Sequence, residues 1–113
     1  AVKYEKLVSE NKESEQKYFG NNIEQARKIQ ETRFIKDKIL LNSEMQIPQI
    51  KVHCKHDATS QELLKKYVDA SKLSARGYHR VLKVARTIAD LAGSETIERQ
   101  HVAEALLYRL RDQ

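Results

Sequence analysis

Residues Leu73–Gly93 read LSARGYHRVLKVARTIADLAG, and this stretch decides the fold that the sequence predicts. Apolar residues recur in it at the three- and four-residue spacing of one helix face: Tyr78, Val81, Leu82, Ala85, Ile88, Ala89 and Ala92. Ser74 suits the N-cap, because its hydroxyl can accept from an amide of the first turn. Gly93 follows the last periodic residue, where a left-handed residue commonly ends a helix. The pattern predicts one long amphipathic helix.

The opposite face of this predicted helix is basic and begins with a poorly placed arginine. Its basic residues are Arg76, Arg80, Lys83 and Arg86. With Ser74 as N-cap, Arg76 is the second helical residue, where the helix dipole disfavours a cation by about 0.3–1 kcal/mol. Gly77 beside it costs about 1 kcal/mol relative to alanine in a helix. Two such departures at one end of a well-formed helix indicate a functional site.

Two interpretations of Arg76 and Gly77 are open at this point. In the first, the free amides of a helix N-terminus and an arginine form a phosphate receptor, and glycine allows a close approach. In the second, Arg76 pairs with a carboxylate such as Asp69, and Gly77 only relieves crowding. Under the first interpretation, further contacts to phosphate or nucleic acid would come from Arg80, Lys83 and Arg86.

Three further helices are predicted from their capping residues, over about 48–54, 59–71 and 98–110. Pro48 suits a first helical turn. Thr59 and Glu62 have the spacing of a capping box, and Ile97 and Val102 have that of a hydrophobic staple. The inward positions expected on these helices are Ile47, Ile50, Cys54, Leu63, Leu64, Tyr67, Val68, Val102, Ala105, Leu106 and Leu110.

Residues 14–37 are polar and helix-prone, but their apolar face is thin. That face consists of Phe19, Ile23, Ala26, Gln30 and Phe34. It would bury better against a partner, and residues 1–13 read as a mobile arm. We therefore predict an all-α chain in two parts: an N-terminal arm and helix at 1–43, partly mobile, and a small four-helix bundle at 44–113.

Composition narrows the classes of protein to which the chain can belong. Its 113 residues, 40% of them hydrophobic and 33% charged, suit one small helical domain. The net charge of +5 allows an acidic partner but does not require one, since basic residues are often a solvated helix face. No apolar run approaches the roughly 20 residues that span a bilayer, and the start lacks a signal-peptide core. With a single cysteine, we expect a cytoplasmic protein without a membrane partner.

His53, Cys54 and His56 place three metal-ligating side chains close together in the sequence. No second pair with ligand spacing occurs elsewhere, and a structural zinc normally takes four protein ligands. We therefore predict no metal site and a buried, unreactive Cys54. His79 and His101 lie on other predicted helices, and His101 is expected at the surface.

No catalytic constellation is recognisable in the sequence. There is no GxxxxGKS or GxxxxGKT phosphate loop, so nothing here could hold Mg²⁺ and a triphosphate unaided. No Ser-His-Asp or paired-carboxylate arrangement follows from the spacing either. We assign no catalytic residue and expect that this chain alone is not an enzyme.

One family resembles the chain over most of its length. LSARGYHRVLKVARTIADLAGSETIERQHVAEALLYR (Leu73–Arg109) resembles the C-terminal end of the magnesium-chelatase-related AAA+ ATPases, the ComM-like group. ARKIQETRF (Ala26–Phe34), NSEM (Asn42–Met45) and Cys54 fit the same family. The chain departs from it at Phe19–Ile23, which reads FGNNI where the family tends to carry an arginine-rich segment.

The resemblance implies the helical lid of a hexameric AAA+ ATPase. Arg76 matches the family's sensor-2 arginine, which reaches the γ-phosphate of ATP in its own or a neighbouring subunit. The implied partners are the missing N-terminal ATPase domain, neighbouring subunits of a hexamer and DNA. ATP and Mg²⁺ would be cofactors of the parent protein, and the chain itself would hold none. Of the branches, the resemblance favours ComM-like proteins, associated with DNA branch migration in transformation, over chelatase subunits that insert magnesium into porphyrin.

Two alternative functions do not need a parent ATPase. The chain could be a stand-alone module that binds nucleic acid through its basic stripe, weakly and with a steep dependence on salt. The stripe in that case is Arg76, Arg80, Lys83 and Arg86. Alternatively, the chain could be an adaptor that docks on a protein partner through residues 14–37.

Overall fold

The computed structural model of the chain describes residues 22–111, with side chains through residue 108. The described helices are α1 (22–33), α2 (Ile47–His53), α3 (Ala58–Asp69), α4 (Ala75–Leu91) and α5 (Arg99–Arg111), with a 3-10 turn at Asn42–Glu44. In this part of the chain the only β pairing is an isolated bridge between His56 and Ile97, so the predicted all-α fold is confirmed. None of these helices has the length and apolarity that crossing a membrane requires. The predicted arm 1–13, Phe19 and the side chain of Leu110 lie outside the described residues.

Helix α4 is the central element of the fold. It packs against α2, α5 and the 3-10 turn, while α3 packs on α5. The buried core consists of Phe34, Met45, Ile50, Cys54, Leu64, Leu73, Val81, Leu82, Ala85, Ala89, Ile97, Val102, Ala105 and Leu106. Burial contributes roughly 1.5–3 kcal/mol for each large aliphatic side chain, so this shared core is the main stabilising feature. The prediction that Leu73–Gly93 contains one long amphipathic helix is confirmed.

Both ends of α4 are formed by the predicted residues. Ser74 is the N-cap, and its Oγ accepts a hydrogen bond of 3.0 Å from the amide of Gly77. At the other end Gly93 has φ +71°, and the amide of Ser94 reaches back to the carbonyl of Ala89 at 2.8 Å. This is the geometry of a helix ended by a left-handed residue. The bounds of α4 therefore follow from its capping residues.

The N-cap of α3 lies two residues before Thr59, which the predicted capping box placed there. Asp57 is its N-cap, and the Asp57 carboxylate accepts from the amide of Ser60 at 2.8 Å and from the Thr59 hydroxyl at 3.0 Å. The amide of Asp57 donates to the carbonyl of Ile97 at 3.3 Å, which fixes the backbone ahead of the helix. The prediction was wrong because aspartate caps as well as threonine does, and this tertiary bridge selects Asp57.

Three predicted exposures are corrected by the structure. Val68 is 42% exposed, because α3 ends at Asp69 and the chain then turns through Ser71 at φ +57°. Ile47 is 49% exposed, since it is the first residue of α2. His101 is buried at 4%, because its Nδ1 accepts from an amide at the start of α5 at 2.9 Å and holds the ring against the bundle.

The described part of the N-terminal helix packs onto the same core. Ala26, Gln30 and Phe34 are buried within this domain, whereas the sequence predicted that their face would bury against a partner; Ile23 is 43% exposed. Gln30 Oε1 accepts from the amide of Asn42 at 3.0 Å, which joins α1 to the 3-10 turn. The division of the chain at residue 43 stays a prediction, and these contacts show that α1 and the bundle share buried side chains.

Candidate functional site

Arg76 is the second residue of α4, and its side chain is exposed. The ion pairs within the described residues join Arg33 to Asp90, Arg86 to Asp90 and His53 to Asp37, so the alternative pairing of Arg76 with Asp69 is not formed. The amides of Ala75 and Arg76 have no acceptor among the described residues. An exposed arginine therefore occupies the first turn of a 17-residue helix whose positive end carries two free donors.

Gly77 occupies the third position of α4 and is buried. Its amide is already used by Ser74 Oγ. A buried glycine whose donor is engaged offers a phosphate little direct access. The role of Gly77 as a phosphate contact stays a prediction.

Arg80 and Lys83 follow Arg76 on one side of α4. At 100° per residue they lie within about 40° of it around the helix axis. Arg80 is exposed, while Lys83 is half-buried and its Nζ donates to the carbonyl of Ser43 at 3.1 Å. Three of the four predicted basic residues thus share a surface.

A groove of about 800 Å³ runs beside these cations, between α4, α5 and the start of α1. We call it the α4 groove, and the residues that matter here are Arg80, Lys83, Val84, Ile88, Leu91 and Tyr108. Val84 and Tyr108 are exposed to 40% and 51%, so apolar side chains are open to solvent beside a basic edge. Exposed apolar surface bordered by charge is typical of an interaction surface.

Arg86 does not belong to the basic surface, and its predicted place there was wrong. Its side chain is only 2% exposed. Its Nη2 donates to the carbonyl of Ser94 at 2.6 Å, and its Nη1 donates to that of Glu95 at 2.7 Å. Burial lowers the pKa of Arg86, and the Asp90 carboxylate opposes that shift. Arg86 lies about 80° around the helix from Arg76, which turns it toward the core.

Asp90 is the hub of a buried polar network around the last turn of α4. Arg33 donates to it twice, from Nη2 to Oδ1 at 2.6 Å and from Nη1 to Oδ2 at 2.7 Å. Asn42 Nδ2 donates to Oδ2 at 2.8 Å, and Arg86 Nε donates to Oδ1 at 3.2 Å. Asn42 also bonds the hydroxyl of Thr87 at 3.1 Å. The network ties α1 and the 3-10 turn to α4.

Cys54 lies in the core near this network, and its predicted burial is confirmed. Burial raises the pKa of the thiol to about 11, although Arg86 and Arg33 act in the opposite direction. Within residues 22–111, no three His, Cys, Asp or Glu side chains converge on a metal position. The structure therefore brings no metal ligands together around His53, Cys54 and His56.

The family model described as "Magnesium chelatase, subunit ChlI C-terminal" matches residues 13–109 of the chain. The chain belongs to this family. The matched range contains all of α1 that is described, α4 and the Asp90 network. The predicted resemblance is confirmed at the level of the family, here called the ChlI C-terminal family.

Two curated relatives are much longer proteins that share a stretch with this ChlI C-terminal family domain. The chain is 45% identical over 83 residues to competence protein ComM of Haemophilus influenzae, covering 74% of this chain and 16% of that protein. It is 42% identical over 72 residues to the uncharacterized protein YifB of Escherichia coli K12, covering 64% of this chain and 14% of that protein. The chain thus matches only 14–16% of the length of these relatives. No solved structure gives a significant match.

The network around Asp90 was missed by sequence reasoning on this ChlI C-terminal domain. The available signal was the four-residue spacing of Arg86 and Asp90, which is also the spacing of an ordinary surface pair on a helix. Nothing in the periodicity of α4 indicates that a second layer, formed by α1 with Arg33, covers its last turn. That information lies in a contact between segments far apart in the chain.

Proposed function

We propose that this domain is the lid of a cytoplasmic AAA+ ATPase of the ComM-like group, and that Arg76 is its sensor-2 arginine. The observation that carries the proposal is the position of Arg76: exposed, without an ion pair to a described residue, at the N-terminus of α4. A cation placed there is unfavourable until an anion arrives. A triphosphate would pair with the guanidinium and accept from the free amides of Ala75 and Arg76.

The surface next to Arg76 supports the proposed lid role. Helix α1 and the 3-10 turn contact this side of α4 only from Lys83 onward, through Lys83, Thr87 and Asp90. The earlier turns, with Arg76 and Arg80, remain open beside the α4 groove. We propose that the ATPase domain packs against this open surface, in the same subunit or a neighbouring subunit of a hexamer. ATP and Mg²⁺ would be held mainly by that domain.

The substrate of the proposed machine follows from the family branch. The Haemophilus influenzae relative is named a competence protein. We propose that the parent of this chain uses ATP hydrolysis to process DNA, by branch migration during transformation. In this proposal the domain provides Arg76, and the movement of the whole domain accompanies ATP hydrolysis. Without the ATPase domain the chain supplies no catalytic residue.

The two alternative functions have less support. A stand-alone nucleic-acid module could not use Arg86, because that side chain is buried. Lys83 would be less available to phosphates, because its ammonium group already bonds the carbonyl of Ser43. An adaptor that docks through residues 14–37 would need the face of Ala26 and Phe34, which is buried within this domain. A gel-shift series at rising salt separates the first alternative from the lid, because phosphate-driven binding weakens steeply with salt.

The test of the proposal is ATP hydrolysis by the full-length protein that carries this domain. Arg76→Ala should lower the turnover number by about 10²–10³-fold, the loss typical of removing one group that stabilises transition-state charge. Arg99→Ala, an exposed arginine at the start of α5, is the matched control and should keep wild-type turnover. If Arg76→Ala leaves turnover unchanged, the sensor-2 role is wrong.

A further inference from the structure

The clamp formed by Arg33 and Asp90 acts on the same side of α4 that carries Arg76. At 1.5 Å and 100° per residue, Asp90 lies roughly 21 Å along the axis from Arg76 and within about 40° of it around the helix. The two donor distances are 2.6 and 2.7 Å, and the side chains are 11% and 1% exposed. A short bidentate pair shielded from water fixes direction as well as distance.

Rotation of α4 about its own axis is the motion that this clamp opposes. The large core residues of α4, Val81 and Leu82, lie in its earlier turns. Near the clamp the core side presents Ala85 and Ala89, whose small side chains interlock less with neighbours than large ones do. A rotation of about 20° would move a side-chain tip on a helix of 5–6 Å radius by roughly 2 Å. An error of about 1 Å in a reacting geometry can cost 10²-fold in rate. The rotational setting of α4 therefore matters for any role of Arg76.

We propose that Arg33 and Asp90 are positioning residues for Arg76, and that α1 and α4 move as one body. This inference rests on the proposed function. Three contacts join the two helices directly or through Asn42: Arg33 to Asp90, Asn42 to Asp90 and Gln30 to Asn42. The loop between α1 and α2 then moves with the lid.

A double-mutant cycle in the full-length protein tests the inference. The variants are Arg33→Ala, Arg76→Ala and both together, with the turnover number and KM for ATP measured for each. Arg33→Ala should lower turnover by about tenfold and change KM in the same direction as Arg76→Ala does. In the Arg76→Ala background, the loss of Arg33 should cost less than about twofold more, because its effect acts through Arg76. Arg27→Ala, an exposed arginine on the same helix, is the matched control and should be neutral.

Folding is monitored by thermal melts, with assays well below each transition. Should Arg33→Ala fail to fold, Arg33→Lys replaces it in the cycle, because lysine keeps the charge but cannot form the bidentate pair. Losses that multiply in the double variant, or wild-type turnover in the Arg33 variant, overturn the positioning role and leave the proposed function intact. Unchanged turnover in Arg76→Ala instead removes the proposed function itself.

Discussion

Arg33 and Asp90, 57 residues apart in the chain, form a bidentate ion pair that joins α1 to the last turn of α4. The Asp90 carboxylate also accepts from Arg86 and Asn42, so one buried acid serves two guanidinium groups and an amide. The carbonyls of His53, Ser94 and Glu95 accept from the two Nη groups of Arg86. These bonds offset the desolvation of the charges and give α1 a defined place on the bundle.

Removing the hub of this network should strongly destabilise the domain. Asp90→Ala leaves Arg86 buried without its carboxylate, and breaking a buried pair in this way costs about 3–5 kcal/mol. We expect that loss in the free energy of unfolding, measured by urea denaturation of the chain. Asp69→Ala, at the exposed end of α3, is the control and should stay within about 0.5 kcal/mol of wild type. A loss below about 1 kcal/mol for Asp90→Ala would mean that the network contributes little.

Removing the charge of Arg76 should have the opposite effect on the isolated chain. Arg76→Ala removes a cation from the positive end of α4, so the chain should be unchanged or more stable by about 0.3–1 kcal/mol. The measurement is a thermal melt in low-salt buffer. Arg80→Ala lies beyond the first turn, where the dipole effect has faded, and should show no such gain. Destabilisation by Arg76→Ala would indicate a contact that the described residues do not provide.

The parts of the fold that depend on local pattern could be predicted from the sequence. The bounds of α4 follow from Ser74 and Gly93, and its core face follows from the spacing of Val81, Ala85 and Ala89. These signals come from neighbours within one or two turns, and the structure agrees with them. The exposed position of Arg76 at the second residue of α4 also follows from local pattern, because Ser74 sets the start of the helix.

The parts that depend on distant segments could not be predicted in this way. Arg86 carries a polar side chain that local pattern assigns to the surface, yet it is buried and donates to carbonyls beyond α4, such as that of Ser94. The burial of Asp90 depends on its ion pair with Arg33. Arg33 lies on α1, whose few apolar residues do not indicate that this helix packs on α4. Two further segments that fit the family, 26–34 and 42–45, supply the residues that meet this part of α4.

The C-terminal end of α4 gives a prediction about backbone conformation. Gly93 has φ +71°, and a methyl group added there would meet no atom within 4 Å. Gly93→Ala should therefore cost about 1–2 kcal/mol, from the left-handed conformation alone. Gly93→Asn should cost less, because asparagine tolerates this region better. Chemical denaturation of both variants checks the order, and equal losses would mean that something other than backbone conformation decides the site.

The buried thiol of Cys54 gives a prediction about reactivity and pH. Its pKa is raised from 9.0 to about 11, so the native thiol stays neutral at pH 8 and a disulfide reagent should react slowly. Since the unfolded thiol ionises first, the stability linked to this group is complete below pH 9.0 and is lost as the pH rises toward 11.

Because Cys54 is buried, its reaction with a disulfide reagent should proceed through opening of the fold. The reaction should be faster in Asp90→Ala, which opens more often. The measurement is the rate of labelling in native buffer and in urea, with Asp69→Ala as the control. Fast labelling of the wild type, at the rate seen in urea, would show that Cys54 is accessible without unfolding.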